Sequence, residues 1–508
     1  MFVWMMFRKR YIQEIFSEEI NSYIVEKNLK QKTVSGMIWS AVQKFGNMGI
    51  SFVSNIVLAR MLTPDDYGCI GMLAIFILVS NTFVDGGFGS ALIQKKEPTQ
   101  QDYSTIFWWN IFISTLLYGI LFLSAPLIAD FYHMPLLCSV LRVQGIILII
   151  NSLNIIQTNQ LRKQLKFKRL ANVTIIAHTI AAFIAIVLAW YGWGVWALVA
   201  QQLIGSSVIS LILWYINKWM PDFCFSKESF KKLFGFGSFI LCSNLINTFC
   251  NNVQGLLIGR FFSPAMMGYY TQAHKLETIA SHSITGIVDQ VTYPLLANFQ
   301  NDNQLMKRVL SKLISVLVFI TFPLMFILIL TAEPLIFLLY GEKWESSIVY
   351  FQILCVSGLT ACFQSVYHYA IASKGESKVL FIWTIIKRTL GLLFLMLGMY
   401  LWEMKGLIWG FALTSWLITF INAYLVSKYI KYTFLQQFKD LFPHSFLAFV
   451  SYIISSIIYS FSEYNIYSKG LICLFIYMII YVSLSYVFKL RVIYSFKEIV
   501  NLYIKKKK

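Results

Sequence analysis

Leu58-Ala59-Arg60-Met61-Leu62-Thr63-Pro64-Asp65-Asp66-Tyr67-Gly68 returns later in the chain as Ile258-Gly259-Arg260-Phe261-Phe262-Ser263-Pro264-Ala265-Met266-Met267-Gly268. Arg, Pro and Gly recur in register at 60/260, 64/264 and 68/268. Each copy closes one long apolar run and opens another, so each reads as a helix end, a tight turn and a helix start. Pro is preset for the first helical turn, Gly permits a close turn, and Arg suits a membrane interface. Arg60, Pro64, Gly68, Arg260, Pro264 and Gly268 are therefore expected to serve structure.

On either side of these turns the chain is strongly apolar. Its 508 residues are 58% hydrophobic, 17% aromatic and only 13% charged, with a mean hydropathy of +0.66. An ordinary soluble domain is excluded. A crossing of a roughly 30 Å hydrocarbon core takes about 20 apolar residues, and suitable runs lie near 34–59, 68–91, 104–128, 135–158, 170–190, 194–216, 233–261, 266–297, 309–331, 346–372, 379–401, 405–427, 441–461 and 466–488. The expected fold is an all-α integral membrane protein with about fourteen transmembrane helices. The two copies of the turn join helices 1 and 2 and helices 7 and 8. An even separation makes the repeat parallel: two six-helix lobes about an axis along the membrane normal, plus two C-terminal helices. The expected divisions are an N-terminal tail (1–33), an N-lobe (34–217), an inter-lobe linker (218–232), a C-lobe (233–428), the last two helices (429–490) and a basic tail (491–508).

Charge sets the expected orientation. The net charge is +19, and with an even number of crossings about three quarters of the 42 Lys and Arg residues fall on the side of the termini. The positive-inside bias then places both tails in the cytoplasm, where basic loops also attract anionic lipid headgroups. The basic excess thus calls for membrane lipids and for no nucleic acid. The cluster from Arg162 to Arg169 reads either as a solvated inside loop or as a dedicated lipid or partner site. The eight Cys residues lie almost entirely in apolar runs without close CxxC spacing and read as packing residues. Phe2 to Phe7 precede Arg8, Lys9 and Arg10, the reverse of a secretory signal, so no cleavage is expected.

Polar residues inside the runs are not scattered. At 100° per residue, Ser40, Gln43, Lys44, Asn47, Ser51, Ser54 and Asn55 share one arc of helix 1. Helix 7 repeats that face with Ser243, Asn244, Asn247, Thr248, Asn251 and Gln254. Helix 8 aligns Thr271, His274, Lys275, Thr278, Ser281, His282, Thr285 and Asp289, and helix 2 adds Asn81 and Asp85. A charge exposed to hydrocarbon costs several kcal/mol, so such stripes face another helix or an aqueous cavity. A central cavity is the economical reading, with interhelical hydrogen bonding as the alternative. Lys44 and Lys275 each fall about 15 Å along their helices, near the midplane. Together with Arg142, Lys387 and Arg388 they are candidates for binding an anionic ligand such as a phosphate, the last three having snorkelling or pairing as the rival role. Asn47, Asn244, Asn247 and Asn251 are candidate substrate-binding residues of the same cavity. Asp85, His274, Glu277, His282 and Asp289 are candidates for proton or cation coupling.

Several chemistries lack their signatures. The sequence has no GxxxxGK[ST] loop, no HExxH and no paired-Cys metal site, so no metal or other cofactor is expected and transport would draw on gradients or mass action. An enzyme is not expected. The largest outside loop, about 331–346, is too small for a catalytic domain, although Glu333, Glu342, Lys343 and Glu345 leave a small catalytic contribution open.

The opening helix (Gly36 to Asn55), the turn from Leu58 to Gly68 and the stretch Asp85-Gly86-Gly87-Phe88-Gly89 resemble Wzx-type polysaccharide flippases of the WzxC/TuaB-like branch. These belong to the multidrug/oligosaccharidyl-lipid/polysaccharide exporter superfamily, and the likeness runs from about Lys32 to Lys489. It implies a two-lobed transporter of a bacterial cytoplasmic membrane that moves polyprenyl-diphosphate-linked oligosaccharide to the outer leaflet by alternating access. It also implies the polysaccharide polymerase and chain-length machinery as candidate partners. In such families cationic cavity residues receive the diphosphate and sugars, a role that Lys44 and Lys275 match by location. Helix 7 has Asn244 where helix 1 has Lys44, so the charge is not repeated. Two other functions fit the residues: a cation-coupled multidrug exporter, disfavoured by a Lys-dominated seam, and a membrane-embedded glycan-processing enzyme, which needs catalytic groups at an outside surface.

Overall fold

The computed structural model describes residues 35–461 and 464–490, so the N-terminal and basic C-terminal tails lie outside the described residues. Among the described residues every regular element is helical. In chain order they are α1 (35–61), α2 (Pro64–Asp85), α3 (Phe88–Gln94), α4 (Gln100–Phe131), α5 (Leu136–Gln144), α6 (Ile147–Lys163), α7 (Phe167–Trp190) and α8 (Val195–Asn217). There follow α9 (Lys227–Phe261), α10 (Pro264–Ala297), α11 (Asn303–Leu330), α12 (Ala332–Tyr340), α13 (Ser347–Ala372), α14 (Ser377–Ile430), α15 (Phe434–Phe461) and α16 (Ile466–Val487). Eleven described stretches are long and apolar enough to cross a membrane. The polar helices α1 and α10 are not among them. One of the eleven, Ile382–Ile430, is bent back at Trp402 (φ −139°, ψ 29°) and Glu403 (φ 50°, ψ −132°), where the expected runs 379–401 and 405–427 meet.

The chain forms two compact units. Among the described residues, the first comprises 35–61 and Leu73–Val253, and the second Leu62–Met72 and the described part of 254–490. The start of α2 therefore belongs to the second unit, and α9 begins in the first and ends in the second.

In the first unit, α1 lies along α7. A Cβ on Gly36 would come within 2.8 Å of the Phe167 ring, so glycine is what lets the two helices approach there. Thr99 caps α4 through a capping box with Asp102, and the buried Asp102 also pairs with Lys95 at 2.5 Å. The stretch 218–226, expected as a linker, is bonded to α4. Met220 O accepts from Gln100 Nε2 (2.7 Å), the Asp222 N–H donates to Ser104 Oγ (2.9 Å) and the Ser226 N–H donates to Thr105 Oγ1 (3.1 Å). Beneath it Phe88, Leu92, Ile106, Phe107, Ile156 and Leu233 form a closed apolar cluster.

Two expected crossings remain single candidate spans, Pro64–Gln94 and Leu136–Lys163, but each is made of two helices. The second is divided at Gly86 (φ 59°) and Gly87 (φ 71°), left-handed values that glycine tolerates without strain. A Cβ on Gly87 would sit 2.3 Å from the Gly237 carbonyl oxygen of α9, so this break is where the backbones of α3 and α9 touch. The fourth is divided between α5 and α6 at Gly145, where the Tyr118 ring of α4 fills the space of a side chain.

In the second unit the repeated turns meet. Thr63 caps α2: its N–H and hydroxyl donate to Asp66 Oδ2 (2.9 and 2.7 Å) and the Asp66 N–H donates back to Thr63 Oγ1 (3.3 Å). Ser263 caps α10 more simply, accepting from the Met266 N–H at 3.3 Å. Pro64 and Pro264 occupy the first helical positions, as their spacing predicts. A Cβ on Gly68 would lie 2.0 Å from the Pro264 carbonyl oxygen, and one on Gly268 would lie 1.9 Å from the Pro64 carbonyl oxygen. The helix starts thus cross backbone to backbone in a reciprocal contact that only paired glycines permit. Fully buried Trp344 packs against both Tyr67 of α2 and Tyr269 of α10, with ring centroids at 5.5 and 5.9 Å. Beside it Lys343 donates to the Leu62 carbonyl, and burial pulls that ammonium below the usual lysine range while Asp66 pulls it back up.

Candidate functional site

A polar concavity lies within the first unit, between α2 and α9. It is a cleft of about 370 Å³ lined by Leu78, Asn81, Thr82 and Asp85 from α2 and by Asn244, Asn247, Thr248 and Asn251 from α9. Both sets follow the pattern i, i+3, i+4, i+7, which puts four side chains on one helical face. The faces meet at the third position of each set, where the Thr82 and Thr248 hydroxyls are 3.2 Å apart. Behind α2, Asn151 Nδ2 of α6 donates to Asn81 Oδ1 at 3.0 Å, while Asn81 Nδ2 donates to the Ile77 carbonyl. Asp85 closes one end of the face. Its carboxylate accepts from the Gly87 N–H, so the helix break that admits α9 also holds the acid.

Six residues of the polar stripes read from the sequence, Asn81, Asp85, Asn244, Asn247, Thr248 and Asn251, are therefore brought together. Thr82 and Asn151 were not singled out. Thr82 follows Asn81 on the same polar face, a signal that the i, i+3, i+4 spacing carried; Asn151 directly follows the apolar run Ile147 to Ile150 and only its cross-helix partner reveals its role. A second cavity of the first unit, about 330 Å³ between α1 and α7, is mainly apolar, lined by Gly49, Ile50, Val53, Ser54, Thr179, Ala182 and Ile186.

The other candidates occupy several places. On α1, Lys44 is exposed and Asn47 half-buried. On α10, His274 stacks on Tyr270 with centroids 5.6 Å apart, and the Tyr270 hydroxyl donates to Gln254 at 3.1 Å. Lys275 is half-buried on the same helix. Glu277 is 6% exposed, with its carboxylate against Gly358 of α13, where a Cβ would come within 2.7 Å of Oε1. The side chains of His282 and Asp289 lie outside the described residues. Arg142 lies over the Phe122 ring at 4.4 Å. Lys387 donates to Asn422 across the α14 hairpin, and Arg388 is half-buried beside it. In the basic cluster, Lys163 donates to the carbonyls of Leu92 (3.1 Å), Ile93 (3.2 Å) and Lys95, at the C-terminal end of α3. That residue is a helix cap within the first unit, while Arg162, Lys166, Lys168 and Arg169 are exposed. Arg60 is exposed and Arg260 half-buried, at the ends of α1 and α9.

Chemically, the α2/α9 cleft offers amide donors and acceptors, two hydroxyls and one carboxylate in helices long enough to span a bilayer. Such a face binds neutral or cationic polar groups through hydrogen bonds.

Comparison with known proteins adds the following. A family model described as "Polysaccharide biosynthesis protein" matches residues 57–349. The teichuronic acid biosynthesis protein TuaB of Bacillus subtilis is 26% identical over 416 residues, covering 82% of this chain and 86% of that protein. The succinoglycan biosynthesis transport protein ExoT of Rhizobium meliloti is 25% identical over 359 residues, covering 70% of this chain and 72% of that protein. Among solved structures, the lipid II flippase MurJ in an inward closed conformation superposes with a TM-score of 0.73 at 14% identity, covering 90% of this chain and 100% of that one. The last likeness is one of fold.

Proposed function

The chain belongs to the polysaccharide biosynthesis protein family, and from that premise we propose that it carries polyprenyl-diphosphate-linked oligosaccharide from the inner to the outer leaflet of a bacterial cytoplasmic membrane by alternating access. It is a multi-pass membrane protein. The observation that carries the reading is the α2/α9 cleft: a polar surface on two long, otherwise apolar helices, of a size suited to a ligand. The similarity to TuaB and to the transport protein ExoT supports polysaccharide precursors as cargo, and the fold shared with MurJ suits movement of a lipid-linked headgroup. In this reading the chain crosses the membrane fourteen times, with α1 and α10 among the crossings and both termini in the cytoplasm, and it acts as a transporter and not an enzyme.

The physical task is to lower the cost of moving a charged, hydrated headgroup through hydrocarbon while the polyprenyl tail stays in lipid. Lys44 and Lys275 supply ammonium groups for the diphosphate, whose charge-assisted hydrogen bonds replace lost hydration. Glu277, His274 and Asp85 are the groups we assign to ion coupling. The test is reconstitution of the full chain in liposomes containing undecaprenyl-diphosphate-linked oligosaccharide, with an added membrane-impermeant lectin reporting the outer leaflet. Protein-dependent arrival of the glycan at the lectin supports the reading; equal arrival in empty liposomes overturns it.

A further inference from the structure

The α2/α9 cleft differs from the surroundings proposed above for the diphosphate in one respect: none of its eight lining residues is Lys or Arg, while one is a carboxylate. An uncompensated diphosphate placed there would be desolvated against Asp85 with no ammonium or guanidinium in the lining to pair it. Arg162, the cation that acts on Asp85, is not part of the lining. Side-chain amides and hydroxyls instead match sugar hydroxyls, which donate and accept at the same atom. The amides recur along α9 at Asn244, Asn247 and Asn251, one helical turn apart at about 5 Å, so a single pyranose ring can be engaged from neighbouring turns. The cleft volume of about 370 Å³ lies at the small end of ligand pockets, roughly 300–1,000 Å³.

We propose that the α2/α9 cleft is a glycan subsite, separate in chemistry from the diphosphate site, that selects a neutral, hydroxyl-rich sugar residue of the lipid-linked cargo and disfavours a uronate. The inference rests on the transport reading above and adds a division of labour to it: Lys44 and Lys275 take the diphosphate, and the asparagines with Thr82 and Thr248 take the sugar.

The test is native mass spectrometry of the detergent-solubilised full chain with three probes: undecaprenyl diphosphate, the same lipid bearing a neutral trihexose, and the same lipid bearing a hexuronate-containing trisaccharide. The expected result is about tenfold tighter binding of the neutral trihexose probe than of the bare lipid, a difference of about 1.4 kcal/mol, with no such gain for the hexuronate probe. Asn244→Ala with Asn247→Ala is expected to bring the ratio of trihexose to bare lipid close to one. Asn244 is exposed, so Asn244→Ala alone keeps the packing and is expected to lower the ratio partway, with Asn244→Gln restoring it. Retention of the full ratio in the double variant, or equal gain for the hexuronate probe, overturns the subsite. If the native chain binds all three probes equally, the subsite fails while the transport reading stands; if it binds none, both fail.

Discussion

Replacing Gly68 or Gly268 with alanine would drive a methyl carbon to about 2 Å from a carbonyl oxygen of the opposing helix start. Neither oxygen belongs to a flexible side chain, so the helices themselves must separate. Overpacking of this kind typically costs about 1–3 kcal/mol. Gly68→Ala and Gly268→Ala are each expected to lower the melting temperature of the purified protein by several degrees; an unchanged melt would contradict the crossing. Glu403 poses the opposite case. Its φ of 50° with ψ of −132° is a conformation that glycine adopts and glutamate resists. Glu403→Gly is expected to raise stability by about 1 kcal/mol, read as a higher melting temperature, and a lower one would show that the glutamate side chain makes a compensating contact.

The short helix α3 owes its position to groups outside itself. It is cut from α2 by two left-handed glycines, and its last carbonyls receive the Lys163 ammonium from α6. Hydrogen bonds to a charged donor contribute about 1.5–3 kcal/mol each, so Lys163→Met is expected to speed amide hydrogen exchange in 88–94 by tenfold or more, with Lys163→Arg retaining most of the protection. Equal exchange in native and Lys163→Met protein would contradict the capping role. This element also marks where sequence reading ran short. Hydropathy over the run 68–91 averages across Gly86 and Gly87, so the run reads as one helix, and the basic residues from Arg162 to Arg169 look alike until the fold brings the α3 carbonyls to Lys163. Arg142 and Lys387 were hidden in the same way. Composition identifies a cation in an apolar run, but the Phe122 ring and the Asn422 amide that receive these two come from distant positions.

At the level of the whole chain, the repeated turn and the polar periodicity were legible because they depend on local spacing. Pro64 and Pro264 start helices, and Asn244, Asn247 and Asn251 share a face, whatever surrounds them. Their partners were not legible: nothing local indicates that Gly68 meets Pro264 or that Thr82 meets Thr248. The cationic assignment depends on Lys44 and Lys275, for which Lys44→Ala with Lys275→Ala is expected to reduce liposome transport of the lipid-linked oligosaccharide by tenfold or more, the loss of one or two charge-assisted contacts. Wild-type rates in the inserted double variant would remove that assignment.

The most direct measurement is the leaflet location of polyprenyl-linked oligosaccharide in bacterial cells lacking this protein, probed from outside with an impermeant lectin and repeated after native complementation. The transport reading predicts precursor trapped in the inner leaflet without the protein and restored outside by the native chain. Precursor reaching the outer leaflet at the same rate without the protein would contradict it.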